Sequence, residues 1–292
     1  MSLFEGFEYD LLASYVSSYL GDLRAHSVSF ADQRWQYLEG GEGPAILFLH
    51  ALLGRKMQWR SMMQQYPKTY RVLAPDVPGL SAKVSLQGKK HSARNIAAWL
   101  DEFLAATRIE HCHIVSHGTA CPLSAYFAAT RPDKVASLTW MNFPDLLGGR
   151  AADQGAAAVW MQHALNIESA SDFNVYMEKM FYRPPSIPGL FKRYSFELFK
   201  SQRDAVVTVA RELLDSQPLL LVQLNKIKCP SLLIASDHDY LAPASFSTQL
   251  QAHMPALKTV LLQNCGHICF MEKLQEVEFH HKQFLAGLSS RA

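Results

Sequence analysis

From residue 26 onward, short apolar runs alternate with stretches of helical periodicity, and nothing else in the 292-residue chain limits its fold as strongly. The apolar runs read as strands over 26–31, 34–39, 45–50, 70–76, 111–116, 135–142, 231–236 and 257–263. Helical patterns lie between them near 55–66, 92–107, 119–131, 243–253 and 270–287. Strands that alternate with helices form βαβ units, and these units build a mostly parallel sheet with helices on both faces. The first two strands are too close together for a crossover, so they are expected to pair as an antiparallel hairpin at one edge. Ser92 and Pro243 stand where an N-cap and a helix start favour those residue types. The expected architecture is an α/β fold with an eight-stranded, mostly parallel sheet.

Two stretches break this rhythm. Residues 4–20 carry Phe4, Phe7, Leu11, Leu12, Tyr15, Val16, Tyr19 and Leu20 mostly three and four apart, the spacing of an amphipathic helix. Residues 1–25 are therefore read as an N-terminal helix docked on the main domain. Residues 146–225 show no strand pattern, are rich in Ala, Met, Phe and Tyr, and contain the Pro184–Pro185 pair inside YRPPSIPG. They read as a helical cap with a loop inside it, inserted after the sixth strand, which leaves 26–145 and 226–292 as the core.

A formal charge of +2 with scattered Lys and Arg offers no basic face, so nucleic acid is not expected as a partner. No segment approaches the ~20 consecutive apolar residues of a membrane span. Cys112, Cys121, Cys229, Cys265 and Cys269 make an odd count, mostly within apolar runs, as free thiols do in a reducing compartment. The opening MSLFEGFEYD carries acid where a signal peptide carries base, so the expected location is cytoplasmic. The Cys265-Gly-His267-x-Cys269 group falls short of four metal ligands, and neither a metal nor another cofactor is expected. The expected partner is a small molecule, and the oligomeric state has no signature in the sequence.

In an open parallel sheet, ligands bind beyond the carboxyl ends of the strands. The segments AILFLHALLG, LAPDVPG, HIVSHGTA, SDHDYLAP and NCGHICFMEK all fall at such ends. Their order and spacing resemble the α/β-hydrolase superfamily, in its lid-bearing esterase, lipase and C–C hydrolase branch, over residues 26–288. HALLG resembles the family's oxyanion segment and LAPDVPGLS its Asp-x-Pro-Gly turn. The resemblance implies that SDHDYLAP supplies the acid, Asp239, and NCGHICFMEK the base, His267. Asp237 and, after the sixth strand, Asp145 are competitors for the acid role, and the spacing to Pro243 favours Asp239.

The family's nucleophile elbow is Gly-x-Ser-x-Gly on a strand-turn-helix. In HIVSHGTACPLSAYFAA, Ser116 takes the first glycine position, Gly118 the serine, Thr119 the oxyanion-hole position and Ala120 the last glycine. Glycine suits the positive φ of that turn but has no group with which to attack. Losing a triad nucleophile typically removes ~10⁶ in turnover, so ordinary serine-esterase chemistry is disfavoured. Ser116 and Cys121 are the alternatives as a displaced nucleophile; otherwise they serve as a turn hydroxyl and a small buried packing group. The resemblance further places an oxyanion hole at the backbone N–H groups of Thr119 and of Leu52 or Ala51, where Ala51 replaces the usual glycine.

These residues leave three functions open. An Asp239–His267 dyad can deliver water to a carbonyl or take a proton from a small, mostly apolar substrate. An inactive homologue can bind a ligand or a protein in the same pocket. A serine esterase can have been inactivated by a Ser-to-Gly change at position 118.

Overall fold

The computed structural model describes residues 21–66, 68–81, 84–144, 167–186, 188–215, 223–243 and 246–289. Residues 1–20 of the expected N-terminal helix, Asp145 and part of the expected cap lie outside these residues, and at the end of that expected helix Arg24 and Ala25 are extended and begin the sheet instead.

Eight strands form one sheet: β1 (Arg24–Phe30), β2 (Gln33–Gly40), β3 (Ala45–Leu49), β4 (Arg71–Pro75), β5 (Cys112–His117), β6 (Val135–Met141), β7 (Ser231–Ser236) and β8 (Lys258–Leu262). Their spatial order is β1-β2-β4-β3-β5-β6-β7-β8. β1 and β2 pair antiparallel, as do β2 and β4, and every later pairing is parallel. The edge hairpin and the mostly parallel sheet expected from the sequence are both present.

Residues 56–59 form a 3-10 turn that runs into α1 (Arg60–Met63). The remaining helices among the described residues are α2 (Ala93–Ala106), α3 (Ala120–Thr130), α4 (Ala170–Lys179), α5 (Gly189–Asp215), α6 (Phe246–His253), α7 (Cys269–Glu272) and α8 (Leu274–Ser289). Ser92 caps α2 by accepting the Asn95 N–H at 3.3 Å. The single helix expected near 55–66 is instead a short 3-10 start with a brief α turn, anchored where Asp76 at the end of β4 accepts the Lys56 N–H at 2.8 Å. The helix expected over 270–287 is interrupted at Lys273, whose ψ of 41° leaves the helical region.

The pleat of β3 shows how the sheet divides the core. Ala45, Leu47 and Leu49 join one buried cluster with Trp99, Phe103 and Phe127 from α2 and α3. Ile46 and Phe48 join the other with Trp59, Met62 and Phe284. Alternate residues of a strand point to opposite faces, so both faces of the sheet are covered by helices. A third, separate cluster of Phe173, Phe196 and Phe199, with Ile167, packs α4 against α5. Among the described residues, no helix is long and apolar enough to cross a membrane.

Candidate active site

The site forms where β3, β5, β6, β7 and β8 end. β5 runs fully extended to His117, the chain turns at Gly118 with φ of +52°, and Thr119 (φ −60°, ψ −15°) opens α3. Gly118 N–H donates to Met141 O at 3.0 Å, which ties the turn to β6. A non-glycine residue at this φ carries backbone strain. A Cβ on Gly118 would stand 3.2 Å from His267 Nε2 and 3.2 Å from the Ala51 methyl.

His267 and Asp239 come from separate loops and meet at 2.8 Å, through Nδ1 and Oδ2. The Asp239 side chain is fully buried, and its other oxygen accepts the N–H groups of Leu241 at 2.7 Å and Ala242 at 3.1 Å. With Nδ1–H donating to a carboxylate, the lone pair of the imidazole resides on Nε2. That nitrogen faces the Gly118 turn. Asp237, the competing acid, accepts the N–H groups of Asn264 and Cys265 at 2.9 and 3.1 Å and so braces the loop that carries His267.

Ser116 and Cys121 both point into the core and are fully buried. Ser124 donates to Cys121 O at 2.8 Å, so the Ser116 hydroxyl, also 2.8 Å away, donates to Ser124. Cys121 Sγ donates to Ser116 O at 3.3 Å, and burial pushes its thiol pKa far up. A thiol held neutral is a poor nucleophile.

At the expected oxyanion positions, the Leu52 N–H donates to Thr119 Oγ1 at 2.7 Å. The Thr119 hydroxyl therefore occupies one of the two expected backbone donors. The loop beyond β3 is held by His50, whose Nδ1–H donates to Ala51 O at 2.9 Å while Nε2 accepts the Val77 N–H at 2.9 Å. Burial lowers the pKa of His50 to about 4, which keeps it in the neutral form this bridge requires.

These groups open onto a cavity of about 500 Å³. Gly118, Thr119, Ala51, Leu52 and His267 line one end. Phe173, Tyr176 and Met177 of α4 and Leu198 and Phe199 of α5 line the opposite wall. No group of three or more His, Cys, Asp or Glu among the described residues is arranged to hold a metal ion.

Several residues shape the site without standing out in the sequence. His117 donates from Nε2 to His267 O at 2.9 Å, its ring centroid lies 4.5 Å from that of His267, and burial holds its pKa well below the ordinary value. Asn142, at φ of +51° beyond β6, donates to Gly266 O at 3.2 Å and to the same His267 carbonyl at 2.7 Å. Glu272 accepts the N–H groups of Gly266, Tyr182 and Arg183 at 2.7, 3.2 and 2.9 Å, so one carboxylate joins the His267 loop to the segment after α4. All three adjoin motifs visible in the sequence, but their role rests on backbone groups of distant segments, which residue types do not reveal.

A sequence model described as the alpha/beta hydrolase fold matches residues 44–274. The chain is similar to Lipase 1 of Psychrobacter immobilis, at 21% identity over 92% of this chain and 86% of that protein. It is also similar to the pimeloyl-[acyl-carrier protein] methyl ester esterase of Aeromonas salmonicida, at 23% identity over 81% of this chain and 93% of that protein. Among solved structures, a membrane phospholipase A described as a bacterial virulence factor superposes with a TM-score of 0.85 at 25% identity, covering 96% of this chain and 91% of that one.

Proposed function

This chain belongs to the α/β-hydrolase fold family, and on that premise we propose that Asp239 and His267 act as a base dyad without a covalent intermediate. The substrate is a small, mostly apolar carbonyl compound. The observation that carries this reading is the orientation of His267. Its Nδ1 is held by a buried carboxylate, while Nε2 faces the cavity 3.2 Å from where a side chain on Gly118 would begin.

Gly118 stands where the family places its serine, so the position adjoining Nε2 is open to a water molecule or to an acidic C–H of the substrate. In hydrolysis Nε2 takes a proton from water as its oxygen bonds the carbonyl carbon, and the imidazolium, stabilised by Asp239, returns that proton to the leaving group as its bond to the carbon breaks; in proton abstraction Nε2 takes the C–H proton and the electron pair moves into the carbonyl as an enolate. The negative oxygen of a hydrated carbonyl would lie against Thr119 at the start of α3, where backbone N–H groups and the helix dipole favour an anion. The apolar faces of α4 and α5, over the strand ends, act as a lid belonging to the cap at 146–225. The relatives include a protein named as a lipase and one named as a methyl ester esterase, which favours hydrolysis over proton abstraction alone.

One contact favours a second reading, a ligand-binding protein that has lost catalysis. The Thr119 hydroxyl already occupies the Leu52 N–H at 2.7 Å, which removes a donor that a developing oxyanion would use. A panel of esters, thioesters and vinylogous diketones, assayed with wild type, His267→Ala and Gly118→Ser, separates the two. Wild-type turnover that disappears in His267→Ala is expected. Silence in the wild type, with turnover and fluorophosphonate labelling only in Gly118→Ser, would replace the dyad enzyme with the binding protein or an inactivated esterase.

A further inference from the structure

We propose that the cavity recognises a carboxylate on its ligand, held by Arg55 and Gln58, with the apolar body of the ligand lying toward α4 and α5. The inference deepens the reading above and rests on the same cavity being the ligand site, but not on any reaction at His267.

Arg55 and Gln58 both line the cavity. Nη2 of Arg55 and Nε2 of Gln58 are buried and have no hydrogen-bond partner among the described residues. A guanidinium carries its charge across five N–H donors, and in the half-buried Arg55 the buried Nη2 is the one left without an acceptor among the described residues. The carboxylate near it in the fold, Asp76, is already engaged by the Lys56 ammonium and accepts the Lys56 N–H at 2.8 Å. Among the described residues that line the cavity, Arg55 is the only Arg, Lys, Asp or Glu. The positive charge is felt locally: Arg55 and Lys56 both contribute to the lowered pKa of His50, after the larger effect of burial.

A buried guanidinium nitrogen without an acceptor is unfavourable, and an anionic partner relieves it. A planar carboxylate matches the guanidinium fork with two parallel N–H···O bonds, and a neighbouring amide N–H can serve a remaining lone pair. The walls formed by α4 and α5 are mostly apolar, with Phe173, Met177, Leu198 and Phe199, and their polar side chains, Tyr176 and Ser195, carry no charge. A cavity of about 500 Å³ with this distribution suits a medium-length or aromatic acid, or a keto or ester derivative that retains a free carboxylate.

The test is isothermal titration of the full chain at pH 7.5 with octanoate, with 1-octanol as its neutral counterpart and with octyl phosphate. Arg55→Gln, Arg55→Lys, Gln58→Leu and His267→Ala are titrated beside the wild type, each checked for an unchanged urea midpoint. Wild type is expected to prefer octanoate to octanol by about tenfold or more, the size of one charge-assisted contact. The preference should collapse in Arg55→Gln, with octanol affinity unchanged, and should survive in part in Arg55→Lys and fully in His267→Ala. Octanol binding without an octanoate preference, or a preference that survives Arg55→Gln, overturns the carboxylate assignment while leaving the cavity as the ligand site. A preference lost only in His267→Ala transfers the anion to the imidazole and overturns it equally. Tighter binding of octyl phosphate than of octanoate replaces the carboxylate with a phosphate. Failure of wild type to bind any of the three probes removes this cavity as the ligand site and the proposed function with it.

Discussion

Gly118 and Ala51 are matched to each other. The Ala51 methyl lies 3.2 Å from the point where a Cβ on Gly118 would stand, closer than side chains ordinarily approach. The turn's φ of +52° adds strain for any L-residue. Gly118→Ser alone is therefore expected to lower the unfolding free energy by about 1–2 kcal/mol and to react sluggishly with a fluorophosphonate. Ala51→Gly in the same chain removes the crowding methyl, so the double variant should label faster than Gly118→Ser. Parallel labelling time courses with urea melts read both effects, and equal labelling rates would show that Ala51 does not limit the site.

At the scale of elements, His267 is positioned by contacts that cross between segments. Asn142 beyond β6 and His117 at the end of β5 both bond the His267 carbonyl. Glu272 then joins the His267 loop to the chain after α4, where Ile268 N–H also donates to Met180 O at 3.2 Å. Gly266 is needed at this junction, because a Cβ there would come within 2.6 Å of Tyr182 N. Glu272→Ala leaves three N–H groups without their acceptor and is expected to cost about 1–3 kcal/mol. Hydrogen exchange should accelerate at Tyr182, Arg183 and Gly266 while the β5 amides stay protected. Unchanged exchange at those three amides would mean that other contacts hold α4 and its following loop in place.

Across the whole molecule, buried neutral imidazoles make the fold sensitive to acid. Burial lowers His50 and His113 to about 4 and His281 to about 3, and it holds His117 well below its ordinary value. An unfolded histidine titrates near ~6.5. Between there and about 4 the unfolded chain binds protons that the folded chain refuses, so stability is full above that window and falls as pH drops through it. Each unit of depression is worth about 1.4 kcal/mol, which makes the combined loss of the order of several kcal/mol. Urea midpoints measured between pH 7.5 and 4.5 should fall steadily with acid. A flat profile would mean that these rings are solvated on a fast local scale.

The sheet was legible in the chain because a strand buried on both faces must be apolar along its length, and because βαβ periodicity leaves few topologies. All eight strands lie within a residue or two of the runs that announce them. Asp239 and His267 were put forward by the resemblance of the motifs that hold them, which lie after strands, and the two side chains meet at 2.8 Å. The Leu52–Thr119 hydrogen bond, the closeness of the Ala51 methyl to the Gly118 turn and, among the described residues, the unpartnered Nη2 of Arg55 were not legible. Each depends on which atoms of distant segments meet within about 3 Å, the reach of a hydrogen bond or a close contact. Residue order determined where the strands end and which chemical groups stand there; only packing in three dimensions decided which of those groups are already satisfied and which remain to meet a ligand.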